Sequence, residues 1–411
     1  MVSTNAASNG TEKSTVQSKY PVLETTNFGT ASSKGSPEAR RRESSGSERD
    51  LPSVDDSKKI ATAEVIPAVH VSGSHYEIGH GIGERFAGMI KSRFEKDEKL
   101  NEILLPYAAT DAGRTVVDEL STENKKCYPR YWEELQGLAD GSGIAFQQVL
   151  LMNIWKELFL LLPPPDAQAV AEEPDHCSDV LICNENLAVV GHNEDAAASV
   201  RGHTYLVYAT LPDGASYTAF TYSGELCCPA FGFNSHGMAF SLNAVNPTGV
   251  KPGGVARNFV SRDLLEARSL EDAVQRVTRV PIAVGHNYNI MDFNQRRIVT
   301  VETASDGRSS VLEIGPHPYF HSNHYLRLPL PQRTPPTTVR RLERAAVLRP
   351  PASISDVLSI LGDAADAEFP IYMTGPLLVT LCSALFDLDS RTVTILGGNP
   401  TLQHVLLKER I

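Results

Sequence analysis

Two rhythms of apolar and polar positions run through this chain, one with the period of a helix and one with the period of a strand. Residues 1–58 follow neither. Ser, Thr, Gly, Lys and Glu dominate there, too little apolar surface is available to offset the entropy of ordering, and the stretch reads as a disordered tail ahead of a single domain at 59–411. AEVIPAVHVSG (63–73) reads as a strand, and YEIGHGIGERFAGMIKSRFEK (76–96) as a turn followed by an amphipathic helix with Ile82, Phe86, Ile90 and Phe94 at helical spacing. GHGIGE lacks the closing glycine of a phosphate-binding loop, so helix packing is the better explanation of its glycines. YPRYWEELQGLADGSG (128–143) is a helix closed by glycines, and IAFQQVLLMNIWKELFLLL (144–162) a second helix, stopped by Pro163, Pro164 and Pro165. DAQAVAEEPDH (166–176) has no period and reads as a loop that ends at Cys177.

Beyond Cys177 the period changes to two. SDVLIC and LAVVG flank a turn at 184–186, and TYLVYATL, ASYTAFTYSG, AFGFN and MAFSLNAV continue an antiparallel meander. Two helices follow, ARNFVSRDLLEAR and SLEDAVQRV, the second with Ser269 as its cap. HNYNIMDF, RRIVTVET, SVLEIG and YFHSNHY read as strands, TTVRRLERAAVL and SISDVLSILG as helices, and LLVTLCSALFDLDSRTVTILGG as a closing hairpin turned around 387–390. Runs of antiparallel strands between paired helices argue for an α+β layered fold, two sheets with helices on both outer faces.

Composition narrows the function classes. A net charge of −11 supplies no basic surface for nucleic acid or an anionic membrane, so a small molecule is the expected partner. Six cysteines without a CxxC pair point to a reducing compartment rather than a disulfide or zinc scaffold. The N-terminus lacks a secretory apolar core, and LLMNIWKELFLLL is interrupted by Lys156 and Glu157, so a cytoplasmic location is expected.

The junction of loop and strand at Cys177 has a specific chemical use. If its thiol attacks the carbonyl of His176, the peptide becomes a thioester that water opens, and Cys177 is left with a free α-amine. Such an amine titrates near ~7.7–8.0, so it can take the thiol proton and return it to a leaving amine. Nucleophile and base then belong to one residue. The alternative is a small buried hydrophobe with no chemistry.

CSDVLICNENLAVVGHNEDA (177–196) resembles the start of the β-subunit in the acyl-coenzyme A:6-aminopenicillanic acid acyltransferase family of self-cleaving N-terminal nucleophile hydrolases. GHGIGERF, GLADGSG, FGFNSHGMAFSLNAV, HSNHYL and TLCSALFDLDSRTVTILGGNP follow the family's order, so the likeness spans roughly 66–402. The resemblance implies a four-layered αββα sandwich, cleavage between His176 and Cys177 into chains 1–176 and 177–411 that stay together, and no cofactor. It carries the nucleophile onto Cys177, the carboxylate after the first hairpin onto Asp195, and the oxyanion-binding amide onto Asn323. Taken by themselves, Asp195 and Asn323 are also consistent with ordinary turn residues. Many family members have Gly where this chain has His176, and a side chain there is expected to slow or reshape cleavage.

GHNEDA and FGFNSHGMAFSLNA are most similar to the branch that hydrolyses N-β-alanyl-dopamine and β-alanyl-histamine. The expected activity is therefore hydrolysis of N-acyl amines through a thioester. Acyl transfer from coenzyme A thioesters is the alternative within enzymes, and a non-cleaving binding or scaffold protein with an inert Cys177 is the alternative outside them. Tyr222, Glu225 and Phe231 are expected around the substrate, Glu225 or Asp195 facing a β-alanyl ammonium. His192, Glu194 and Asp195 with His321 and His324 lack recognised metal spacing, so no metal is expected. The adjacent Cys227 and Cys228 read as lining or packing residues, because neighbouring cysteines rarely reach disulfide geometry.

Overall fold

Among the described residues, fourteen strands divide between two sheets that stack face to face under helices on both outer sides. The computed structural model describes residues 66–162, 176–227 and 230–411. The tail expected at 1–58, most of the loop before Cys177, and Cys228 lie outside the described residues.

The larger sheet has eight strands in the order β1-β4-β5-β6-β7-β8-β9-β10: β1 (Ala68–Ser72), β4 (Thr204–Thr210), β5 (Ser216–Tyr222), β6 (Phe231–Asn234), β7 (Met238–Ala244), β8 (His286–Asp292), β9 (Arg297–Thr303) and β10 (Ser309–Glu313). All its pairings are antiparallel except β1 on β4. The smaller has six in the order β11-β2-β3-β12-β13-β14: β11 (Tyr319–His321), β2 (His176–Cys183), β3 (Ala188–Ala197), β12 (Leu378–Asp387), β13 (Thr392–Gly397) and β14 (His404–Arg410).

Alternation along each strand separates the layers. Leu206, Phe220, Phe231 and Met291 of the larger sheet meet Leu181, Val190, Ala384 and Phe386 of the smaller, forming the apolar middle. The opposite face of the larger sheet, with Tyr205, Val207, Phe240 and Ile290, packs under helices α1 (His75–Lys96), α2 (Asp111–Cys127), α3 (Pro129–Ser142), α4 (Phe146–Asn153), α5 (Trp155–Leu161), α6 (Arg257–Leu264) and α7 (Leu270–Thr278). The outer face of the smaller sheet, with Val180, Ile182, Val189 and Leu385, packs against Val357, Leu358 and Leu361 of α9 (Ile354–Leu361), which follows α8 (Pro336–Val347). This is the αββα order that the strand and helix runs imply.

Helix α1 begins earlier than its pattern indicates. Ser74 caps it, accepting from the Glu77 backbone N–H while the Glu77 carboxylate returns to the Ser74 N–H. GHGIGE is therefore inside the helix rather than in a turn. A Cβ on Gly79 would stand 2.0 Å from Glu134 O, and one on Gly137 of α3 would stand 2.1 Å from Tyr76 O, so the two helix backbones touch. The single helix expected over 144–162 is two, broken at Ile154 (φ −123, ψ 14). The break follows Asn153, whose side chain donates to Gly224 O and accepts from Leu226 N, fixing the turn after β5. Residues 99–127, left without an element by the sequence pattern, are largely helical, and β14 adds an edge strand that the pattern misses.

Candidate active site

Strand register builds the site. Cys177 of β2 stands directly opposite Glu194 of β3, Asp179 opposite His192, and Leu181 opposite Val190. Opposed residues share a face, so thiol, carboxylate and imidazole all point into the layer between the sheets, where Leu181 and Val190 lie in the apolar middle. The Cys177 Sγ–H faces Glu194 Oε2 at 3.9 Å. That same oxygen accepts from His192 Nε2 at 2.9 Å, while His192 Nδ1 donates to Asp179 Oδ2 at 2.9 Å. Ser241 Oγ and Asn243 Nδ2, each at 2.6 Å, cross from β7 to Asp179, and the Tyr222 hydroxyl donates to Glu194 Oε1. Buried polar groups this well satisfied hold one arrangement.

Charges in this row are set by burial and by neighbours. Burial disfavours the His192 cation, but Asp179 and Glu194 outweigh it and raise its pKa to about 10, so both ring nitrogens carry protons at neutral pH. Burial, then the fields of Glu194 and Asp195, push the Cys177 thiol well above its ordinary range. Burial also keeps the Tyr222 phenol protonated as a donor.

The other face of β2 meets α8. His176 lies opposite Asp195, not in the loop, and its ring is neutral because burial and Arg341 pull its pKa down to about 2. Arg341 Nη1 donates to Cys177 O at 2.6 Å and Ser178 Oγ at 2.9 Å, and its Nη2 donates to Asn323 Oδ1 at 2.7 Å. Asn323 follows β11 and is fully buried. Its Oδ1 accepts the Cys177 N–H at 2.9 Å, and its Nδ2 donates to Ala244 O at 3.1 Å. Asn323 therefore contacts the nitrogen that cleavage would turn into an α-amine.

Asp195 belongs to strand β3, which runs through GHNEDAA, so the turn-aspartate alternative does not hold. Thr380 Oγ1 donates to its Oδ1 at 2.5 Å, whereas its Oδ2 is buried without a partner. Burial, opposed by Arg341 and Thr380, raises its pKa to about 7.

A cavity of about 290 Å³ opens on Cys177, Glu194, Asp195, Tyr222 and Glu225. Both Glu225 oxygens are engaged, one by Arg93 Nη2 at 2.6 Å and the other by Asn258 Nδ2 at 2.9 Å. Lys156 and Arg257 also line the cavity, so its wall carries both signs of charge. Phe231 does not line it. Its ring stacks on Phe220 at 5.0 Å between the sheets and meets the His192 ring edge-on at 5.8 Å. Cys227 is core on the helix side.

Among the described residues, Cys177, His192 and Glu194 bring a sulfur, a nitrogen and an oxygen within 4.8 Å of one another. A metal there would have to displace the proton that His192 Nε2 donates to Glu194, because an imidazolium offers no lone pair.

Glu194, Arg341 and His192 are the site residues that the sequence pattern does not assign to this chemistry. His192 and Glu194 are two apart on a strand and so share a face, a signal readable once β3 is extended past Gly191. Arg341, 164 residues from Cys177, has no local signal.

Residues 183–402 match the family described as Acyl-coenzyme A:6-aminopenicillanic acid acyl-transferase. The matched stretch takes in Asp195 and Asn323 and starts after Cys177. The chain is 26% identical over 373 residues to the beta-alanyl-dopamine/carcinine hydrolase of Drosophila melanogaster, across 84% of this chain and 96% of that protein. It is also 26% identical over 159 residues to the acyl-coenzyme A:6-aminopenicillanic-acid-acyltransferase 40 kDa form of Emericella nidulans, across 39% of this chain and 42% of that one. Among solved structures, the Caenorhabditis elegans N-acylethanolamine-hydrolyzing acid amidase ortholog superposes with a TM-score of 0.39 at 12% identity, over 57% of this chain and all of that one.

Proposed function

This chain belongs to the acyl-coenzyme A:6-aminopenicillanic acid acyl-transferase family, and from that premise we propose that it cuts itself before Cys177 and then hydrolyses N-acyl amines through a thioester on that residue. The observation that carries the reading is that the Cys177 thiol opens on the cavity while its main-chain nitrogen is held by Asn323 Oδ1. A cut at the His176–Cys177 bond needs no rearrangement of β2 to leave thiol and amine side by side.

In the cut enzyme the α-amine takes the thiol proton as Sγ attacks the substrate carbonyl, and returns it to the departing amine nitrogen. Asp195 Oδ2, buried and unpartnered in the uncut chain, is the natural counter-charge for the new ammonium. Asn323 Nδ2 has two hydrogens and uses one on Ala244 O; the second is the donor for the oxyanion of the tetrahedral intermediate. Water then opens the thioester.

The Drosophila relative supports a β-alanyl acyl group, and Asp97 and Glu98, which also line the cavity, are the carboxylates this reading assigns to its ammonium. A cavity of about 290 Å³ suits a small acyl chain. The fungal relative supports a second reading, in which an amine rather than water resolves the thioester.

A panel of N-acyl amines, with and without a β-alanyl group, tests both readings by amine release. We expect release from β-alanyl amines by the wild-type chain and none by Cys177→Ala. With an acyl-coenzyme A and an acceptor amine supplied together, free acid is the expected product. New amide in that mixture would replace hydrolysis by transfer, and activity surviving in Cys177→Ala would remove the thioester.

A further inference from the structure

Self-cleavage has a proton problem that turnover lacks. In the cut enzyme an α-amine stands ready to accept the thiol proton, but in the uncut chain that nitrogen is an amide whose N–H is donated to Asn323 Oδ1. It cannot serve as a base. Burial and the surrounding carboxylates keep the thiol protonated at rest, so some other group must remove the proton as sulfur attacks.

Five titratable side chains on β2 and β3 lie within two positions of Cys177 or of Glu194 opposite it, and the Asp179 carboxylate is already held by Ser241, Asn243 and His192. His176 lies beside Cys177 on the strand, so its ring projects from the opposite face, toward Thr337 and Arg341. His192 has both ring nitrogens committed to carboxylates. Asp195 stands opposite His176 in the register rather than opposite Cys177. Glu194 stands directly opposite Cys177, and its Oε2 is 3.9 Å from Sγ. Its other oxygen is held by the Tyr222 hydroxyl, and His192 Nε2 anchors Oε2 from the far side. The carboxylate is thus oriented by partners that leave a lone pair of Oε2 toward the thiol.

We infer that Glu194 is the general base of self-cleavage, taking the Cys177 thiol proton as Sγ attacks the His176 carbonyl carbon. The inference rests on the self-cleavage reading above. The step balances as an acyl shift. The new bond is Sγ–C, the bond broken is C–N, and the proton taken by Oε2 ends on the departing Cys177 nitrogen as it becomes an amine. One water then opens the thioester, leaving a carboxylate on His176 and restoring the thiol. Tyr222 and His192 are positioning residues in this scheme.

The test follows the freshly translated full chain over time by denaturing gel and intact mass. Wild type, Cys177→Ala, Glu194→Gln and Glu194→Asp are compared, with melting curves to establish that each is folded. Removing a positioned base costs about 10²–10⁴-fold in rate. Glu194→Gln is therefore expected to cut at least about 100-fold more slowly than wild type, and hydroxylamine, which cleaves a thioester once formed, is expected not to restore the cut. Glu194→Asp withdraws the carboxylate by one methylene and is expected to be slowed at least about tenfold, and it decides the matter if the Gln variant does not fold. Either variant cutting at the wild-type rate, or hydroxylamine restoring the Gln variant, would overturn the role. Those outcomes differ from failure of the reading beneath it, which would appear as an uncut wild type or a cut Cys177→Ala chain.

Discussion

Around Cys177, individual residues are governed by where charge sits when the chain is uncut. Asp195 has one oxygen on Thr380 and one buried without a hydrogen-bond partner, and burial, opposed by Arg341, raises its pKa to about 7 from an ordinary value of 3.8. A carboxyl whose pKa is raised by folding contributes stability that is complete below about 3.8 and is lost as pH rises through about 7. In the uncut Cys177→Ala background, Asp195→Asn removes that penalty. Its melting temperature is therefore expected to match the parent at pH ~4 and to exceed it at pH ~8, by about 1–2 °C for each kcal/mol recovered. Equal melting temperatures at both pH values would mean that Arg341 and Thr380 already offset the burial of Asp195 in full. Cys177, Asp195 and Asn323 could be singled out from motifs because each lies within a short run that resembles the family. Arg341 could not, because a guanidinium on α8 that clamps the Cys177 carbonyl has no periodicity or neighbour to mark it.

Among the elements, the contact of α1 with α3 is the most exacting. Gly79 and Gly83 face α3 while Gly137 and Gly141 face α1, and a Cβ at any of the four would fall 2.0–2.5 Å from a backbone oxygen of the other helix. Gly137→Ala is expected to destabilise the fold by about 1–3 kcal/mol in denaturant unfolding, since backbone cannot yield as a side chain does. Gly88, on the exposed side of α1 with nothing within 4 Å, is the control. Gly88→Ala is expected to be neutral or to stabilise by roughly 0.5–1 kcal/mol. A neutral Gly137→Ala would mean that the helices can part without cost. The sequence pattern points to packing for these glycines yet starts the helix too late, because the Ser74–Glu77 cap precedes the apolar stripe. It also runs α4 and α5 together, because apolar residues on both sides of Ile154 conceal a break whose partners, Gly224 and Leu226, are some seventy residues away. The strands read more clearly, since a short run rich in β-branched and aromatic residues between turn residues is a local signal.

Over the whole molecule, a cut before Cys177 would divide the sandwich without opening it. The segment ahead of the cut supplies α1 to α5 and strand β1, which pairs with β4 in the larger sheet, while β2 stays between β11 and β3 in the smaller. The buried apolar cluster on the helix side joins Ile78, Phe86 and Leu151 from before the cut to Tyr205, Phe240 and Phe259 from after it. The two products should therefore travel as one particle and separate only on unfolding. No described helix is long and apolar enough to cross a membrane. The αββα layering was legible in the succession of strand and helix runs. What sequence could not supply is the register, and register is what sets thiol, Glu194 and His192 on one face. The most direct test of the account is therefore the mass of the active material. A size-exclusion fraction that releases amine should resolve, once denatured, into two chains, the second beginning Cys177-Ser178-Asp179-Val180, while Cys177→Ala gives the intact chain alone. Active wild-type material consisting solely of the uncut 411-residue chain would contradict it.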